Sequence, residues 1–265
     1  MVRVTGNAIR RIILEQSMRA GVGHIGSALS IADLIAAVYS GPLRAEDLDA
    51  PERDRFVLGK GHAALALYAA LYLRGWISFD DLNSYCADDS ICGVHPEHVL
   101  PGVDFCTGSL GQGLPIAVGS ALAARLRDSD RHVFALISDA ELNAGAVWEA
   151  LMFAGHHKLS QLTVLLDENG QQAFGYTKEI INLPKIADQV RGFGWNVSEL
   201  HGHDETKLIE RLQSSRRANN GPQLIICHTV FGKGVSYMER SIKWHYWPMS
   251  AEEYKLALEE VAGGR

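Results

Sequence analysis

The sequence predicts a doubly wound α/β domain with a mainly parallel sheet, and three observations carry that expectation. Short apolar runs at 133–137, 162–166, 195–197 and 223–227 alternate with helical patterns, the sign of strands covered by helices on both faces. Two consecutive run ends carry oxygen-bearing side chains, Ser138-Asp139-Ala140-Glu141 and Asp167-Glu168-Asn169-Gly170-Gln171, and sheets of this kind bind ligands at the carboxyl ends of their strands. The 265 residues suit one large domain, and no repeat, low-complexity tract or linker divides them.

Taken in order, Ile9, Ile12, Ile13 and Gln16 share a helical face, with Arg10, Arg11 and Arg19 off it. Residues 3–20 are therefore expected to form an amphipathic helix, ended by Gly21-Val22-Gly23. Ser30, with Asp33 three positions on, is expected to cap a second helix reaching about Tyr39. Residues 61–74 read as a helix apolar nearly all round, which predicts burial on more than one side. Residues 80–104, with Pro96 and Pro101, read as irregular. Helices at 112–127, 144–158, 184–193 and 204–217 then lead into the four strands.

Composition excludes several classes. Hydrophobic residues make up 47% and charged residues 21%, as in ordinary folded domains and unlike disordered ones. Lys plus Arg number 25 against 31 Asp plus Glu, the wrong balance for a dedicated nucleic-acid binder. The longest apolar run, Ala63 to Leu73, is 11 residues, and a membrane span needs roughly 20. Residues 1–7 lack the apolar core of a signal peptide. The four cysteines show no CxxC spacing and are expected to be reduced. The expected setting is cytoplasmic, with neither nucleic acid nor membrane as partner.

Chemistry concentrates in a few strings. Gly108-Ser109-Leu110-Gly111-Gln112-Gly113 sits before a helix, where backbone N–H groups can cradle a diphosphate. Its spacing is not that of the dinucleotide fingerprint, and neither Gly59-Lys60-Gly61-His62 nor Gly232-Lys233-Gly234 is a Walker loop. No GxSxG elbow or HExxH helix occurs, so hydrolase readings lack their residues. Asp139 and Asn169 can share a hard cation such as Mg²⁺; equally, Asp139 can cap a helix and Asn169-Gly170 form a turn. His24, His62, His95 and His245 stand in loop-like contexts beside glycines, prolines or aromatics. His156-His157 and His201-Gly202-His203 have no third ligand at zinc spacing.

These strings occur in the order of a known family. Gly23-His24-Ile25-Gly26, the stretch Asp54 to Ala63 (DRFVLGKGHA), His95-Pro96-Glu97, the stretch Thr107 to Gly113 (TGSLGQG), Ser138-Asp139-Ala140, Asp167-Glu168-Asn169-Gly170-Gln171 and Trp244-His245 together resemble the N-terminal, diphosphate-binding part of transketolases, of the kind encoded as a separate subunit. The resemblance implies a three-layer α/β/α fold that binds thiamine diphosphate. It implies that Asp139, Asn169 and the Gln171 carbonyl hold Mg²⁺ (or Ca²⁺ or Mn²⁺), and that His62, His245, Ala140 and the Gly108-Ser109-Leu110 backbone contact the cofactor. It also implies that His24, His62, His95 and His245 serve the reaction centre, binding donor hydroxyls and moving protons, while the cofactor carries the carbanion chemistry.

The half that would bind the aminopyrimidine, and supply its activating glutamate, has no counterpart here. The resemblance therefore implies a partner chain, an α2β2 heterotetramer, and a two-carbon ketol transfer from a ketose or ketose phosphate to an aldehyde. Apolar surface near 110–116 and 148–152 is expected to await that partner. Four departures from the family pattern bear on the substrate, one of them Ile25 where proline is common. Ser138-Asp139-Ala140 replaces Gly-Asp-Gly, costing little if Ala140 has negative φ and about 1 kcal/mol or more if it is left-handed. Ala144 replaces a glutamate, and Tyr246-Trp247 follow His245 where a small glycine is usual. The alternatives are a 2-oxoacid decarboxylase or dehydrogenase component, a specialised biosynthetic two-carbon transferase, and a degenerate scaffold without activity.

Overall fold

The structure, a computed structural model, describes residues 4–264. The first half runs α1 (Gly6–Ala20), α2 (Ile25–Ser30), α3 (Ala32–Ser40), β1 (Arg55–Leu58), α4 (Ala64–Leu73), α5 (Phe79–Asn83) and α6 (Gly113–Leu126). There follow β2 (Val133–Ser138), α7 (Gly145–His156), β3 (Leu162–Glu168), a small hairpin of β4 (Gln171–Gln172) and β5 (Gly175–Tyr176), and α8 (Thr177–Ile180). The chain continues with α9 (Ile186–Gly192), β6 (Asn196–His201), α10 (Glu205–Arg217), β7 (Gln223–His228) and α11 (Ala251–Ala262). The five long strands form one parallel sheet in the order β1-β2-β3-β7-β6.

Period-two alternation divides each central strand between two cores. Val133, Ala135 and Ile137 of β2 pack with Leu162, Val164 and Leu166 of β3 against α6, α7 and α9. Phe134, Leu136, Leu165 and Ile225 face the other way, onto the layer of α1, α3, α4, α10 and α11. Two helical layers thus enclose one sheet, the three-layer arrangement expected. Every residue of α4 from Ala64 to Leu71 is buried, as its all-round apolar pattern requires. Among the described residues no helix is long and apolar enough to cross a membrane, and all four cysteines are free.

Several expectations need correction. The first helix begins at Gly6 behind an N-cap at Thr5, whose hydroxyl accepts the Ala8 N–H; Arg3, the start that the periodicity predicts, lies outside the described residues. Ser30 is not a cap. It ends α2, and its hydroxyl donates to Asp167 Oδ1 at 2.7 Å. Asp33 is buried against Arg10 and His203 instead of closing a capping box. His203 accepts the Val230 N–H at Nε2 and bonds Asp33 through Nδ1, so it is a structural histidine. The helix start expected at residue 61 resolves into a 3₁₀ turn, Gly61–Ala63, before α4. The sequence pattern does not announce β1, α2, α5, α8 or α11. In β1 the reason is plain: Arg55-Phe56-Val57-Leu58 is only four residues long and runs straight into a glycine-rich motif.

At the amino end of β2, His132 is buried with Nε2 against Thr163 Oγ1 at 2.9 Å. Burial first, then the nearby Arg216 and Arg44, push its pKa down to about 3. The unfolded chain takes up this proton near the ordinary histidine value and the folded chain does not, so stability falls as pH drops from about 6.5 to about 3. In urea titrations His132→Gln is expected to flatten the pH dependence of unfolding across that window; an unchanged slope would exclude His132 as its source.

Candidate active site

The carboxyl ends of β1, β2 and β3 open into a cavity of about 590 Å³. Its floor is built on an aspartate. Asp167, fully buried on β3, accepts bonds from Lys60 Nζ (2.6 Å), Ser30 Oγ (2.7 Å), Asn169 Nδ2 (2.7 Å) and Thr229 Oγ1. Burial alone would raise its pKa; Lys60 and the hydroxyl donors hold it below the usual carboxylate range. Lys60 follows β1 and is 1% exposed, so this ion pair joins the ends of two strands beneath the site.

Three of the four expected histidines converge. The rings of His24, His62 and His245 lie 5.3, 5.4 and 5.5 Å apart as a triangle. His62 Nε2 is within 2.8 Å of Ser27 Oγ. Burial, then Lys60, keep the His62 pKa well below the ordinary value; burial brings His245 to about 4 and lowers His24 as well. All three are therefore neutral at pH 7 and able to accept protons. Nδ1 of His24 and of His245 are buried with no protein partner. His95 lines the same cavity from its exposed side, beside Gly108; its carbonyl is fixed by Tyr68 Oη at 2.9 Å.

The GHIG string is explained by close approach. A Cβ on Gly26 would lie 2.2 Å from the Phe231 ring, and one on Gly23 2.1 Å from the Tyr246 carbonyl. Phe231 stacks on His245 with rings 6.0 Å apart and 9° from parallel. Between these glycines His24 adopts φ 61°, ψ 19°, a left-handed conformation costing about 1–2 kcal/mol outside glycine. That conformation turns the imidazole toward the other two rings while its N–H donates to the His245 carbonyl at 3.2 Å.

The diphosphate and metal candidates lie along one wall. Gly108 and Leu110 line the cavity together with Ala140, Asn169 and Gln171; Ser109 is exposed and is not part of the lining. Asp139 borders a neighbouring cavity of about 460 Å³ that it shares with Asn169. Asp139 accepts the N–H groups of Ala140 (2.9 Å) and Gly170 (2.8 Å). Ala140 does not have positive φ, so the Gly-to-Ala departure is the inexpensive one. The Asn169 amide nitrogen is committed to Asp167 and Ser30, which fixes Oδ1 on the side of the Gln171 N–H. Glu141, which the motif spacing does not single out, is fully buried. It joins the Gly111 N–H (3.1 Å) to the Ser138 N–H (3.0 Å), tying the glycine-rich loop to the end of β2. A charged residue between Ala140 and Leu142 is the signal for it in the sequence.

These residues fit a hard cation. Gln171 Oε1 is a buried acceptor with no partner. Three buried carboxylates, Asp139, Glu141 and Asp167, face one buried ammonium, Lys60. Burial, then Asp167, raise Asp139 to about 7, and burial raises Glu141 to about 7. A donor set of carboxylate, amide and carbonyl oxygens suits Mg²⁺ or Ca²⁺. Among the described residues no cluster of three or more His, Cys, Asp or Glu is arranged as a metal site.

Comparison with known proteins decides the family. Residues 3–262 match the transketolase thiamine diphosphate binding domain. The chain belongs to the transketolase family. It is 37% identical over 258 residues to a 6-deoxy-6-sulfo-D-fructose transketolase subunit of Clostridium sp. (strain MSTE9), covering 96% of this chain and 94% of that one. It is 38% identical over 256 residues to an apulose-4-phosphate transketolase subunit of Phocaeicola vulgatus, covering 96% and 91%. The transketolase of Campylobacter jejuni superimposes with a TM-score of 0.90 at 29% identity, over 98% of this chain and 42% of that one. The chain thus has the transketolase-type thiamine-diphosphate-binding fold, and spans about two fifths of that solved transketolase.

Because His24 is left-handed, His24→Gly is expected to be more stable than His24→Ala by about 1 kcal/mol. Chemical denaturation of the two variants measures the difference; equal midpoints would show that residue 24 carries no strain.

Proposed function

We propose that this chain is the diphosphate-binding subunit of a split, thiamine-diphosphate-dependent transketolase-type enzyme that moves a two-carbon ketol unit between specialised sugars. The observation that carries the reading is the triangle of neutral histidines beside the oxygen-donor wall of Asn169 and Gln171. A hydroxyl-rich ketose offers several partners to such an array, whereas a 2-oxoacid offers few. The specialised alternative is better supported than a general ketose-phosphate reaction, because the two relatives above are named for a sulfosugar and for apulose 4-phosphate. Neutral histidines and the undistorted Ala140 favour an active subunit over a degenerate scaffold.

In this reading Asp139 and the oxygens of Asn169 and Gln171 hold Mg²⁺, while the Gly108 and Leu110 backbone and His62 meet the diphosphate. When bound, the cofactor supplies the electron sink for cleavage of the C2–C3 bond. His24 and His245 bind donor hydroxyls and move protons, with His95 at the exposed side. Phe231, stacked on His245, fixes that ring and excludes water from one of its faces.

A partner chain carrying the pyrimidine-binding half completes the site, with two copies of each chain. The names of the two relatives, each called a transketolase subunit, support this division, as do the exposed apolar side chains Leu110, Met152 and Phe153. Trp148, expected among them, is instead partly packed, its indole N–H donating to the Leu142 carbonyl at 2.8 Å.

Two measurements on the assembled enzyme test the reading. Calorimetry is expected to show thiamine diphosphate binding that requires a divalent cation and is lost in Asp139→Ala; unchanged affinity in chelator would remove the metal assignment. His24→Ala and His245→Ala are expected to lower kcat by about 10²–10⁴-fold while cofactor affinity changes little. Equal losses in both quantities would make these histidines cofactor scaffolding.

A further inference from the structure

The buried polar groups of the cavity lie at its floor. At its outer edge Leu110, Phe174, Ile180 and Tyr246 are exposed beside His95 and Asn143. Among the described residues no arginine lines it, and its single lysine, Lys60, is engaged by Asp167. Within this edge Tyr246 has a special position. Its ring meets His245 at 4.7 Å and His24 at 6.0 Å, both edge to face, so it covers two of the three histidines. Tyr246 is 55% exposed, and its hydroxyl has no hydrogen-bond partner among the described residues.

The backbone beneath this ring cannot withdraw. The His24 N–H donates to the carbonyl immediately before Tyr246, and Gly23 packs so closely on the Tyr246 carbonyl that no side chain fits between them. On the inner side Phe231 backs His245. The ring therefore stands on backbone held from behind, and a substrate that reaches His24 and His245 along this side passes its remaining carbons beside it.

We propose that Tyr246 is a specificity-determining residue that closes the His24–His245 side of the cavity and selects ketose donors of short carbon chain. The inference rests on the ketol-transfer reading above. A fixed aromatic wall acts by exclusion: a short donor ends before the ring, and each further carbon must displace it or bend away. Adding or removing a methylene in a well-fitted pocket changes kcat/KM by about 10–200-fold, which sets the scale expected here.

The test uses the assembled enzyme with two unphosphorylated donors, a four-carbon and a six-carbon ketose, so that charge is constant. Tyr246→Ala is expected to raise the six-carbon to four-carbon ratio of kcat/KM at least about tenfold, with cofactor affinity and thermal midpoint unchanged. Tyr246→Phe, which keeps the ring, is expected to keep the wild-type ratio. A ratio unmoved in Tyr246→Ala, or moved as far by Tyr246→Phe, overturns the proposal while leaving ketol transfer intact. Absence of transfer from every ketose by the wild-type assembly would instead remove the functional reading, and this inference with it.

Discussion

The buried pair of Lys60 and Asp167 is the contact on which the site's architecture turns. Both side chains are essentially inaccessible, and an ion pair removed from water survives only if its remaining valences are satisfied. Ser30, Thr229 and Asn169 supply those bonds. The consequence is geometric. One carboxylate fastens the end of α2, the turn after β1, the end of β3 and the segment after β7, which are the segments that carry His24, His62, Asn169 and Phe231. Removing one member of such a pair leaves an uncompensated charge, at a cost on the order of 3–5 kcal/mol. The network therefore binds fold and site together.

Close backbone approach does for the histidines what that ion pair does for the floor. Gly23 and Gly26 are small because Tyr246 and Phe231 occupy the space where their side chains would be. The left-handed conformation of His24 is held by packing on both sides, as backbone strain at functional sites generally is. Burial then keeps the rings neutral. Three imidazoles this close would repel one another if charged, so desolvation and mutual proximity act in the same direction.

Much of this is legible in the sequence, for identifiable reasons. The strands at 133, 162 and 223 are continuous apolar runs because both their faces are buried, and period and spacing suffice to place them in a parallel sheet. His24 and His62 stand out because they sit beside glycines that the structure shows to be required. Ser30 and Asp33 mislead because a local cap and a long-range partner demand the same residue type. Ser30 serves Asp167, 137 positions away, and local spacing carries no trace of that. Glu141 and Lys60 are inconspicuous for a related reason. Their importance lies in being buried, and burial of a charge is decided by the tertiary fold. Arg55 to Leu58 is too short to declare itself a strand without its partner β2.

The distribution of charge at the floor bears on why a metal ion and a diphosphate would enter together. Three buried carboxylates against one ammonium leave the protein's own groups short of positive charge, and burial, with Asp167 beside Asp139, raises both Asp139 and Glu141 to about 7. A diphosphate alone would add anionic charge where it is already in excess; the Gly108 to Leu110 backbone offers only dipoles against it. Under the proposed reading, a divalent cation held by Asp139 would offset that excess and would present a diphosphate with a charge opposite to its own. Asn169 would suit such a role, because its amide nitrogen is held by Asp167 and Ser30 and its oxygen, which accepts the Gln171 N–H, keeps a second lone pair for a cation. In that reading the same carboxylates, costly to bury by themselves, would favour a cation-bound anion over a free one.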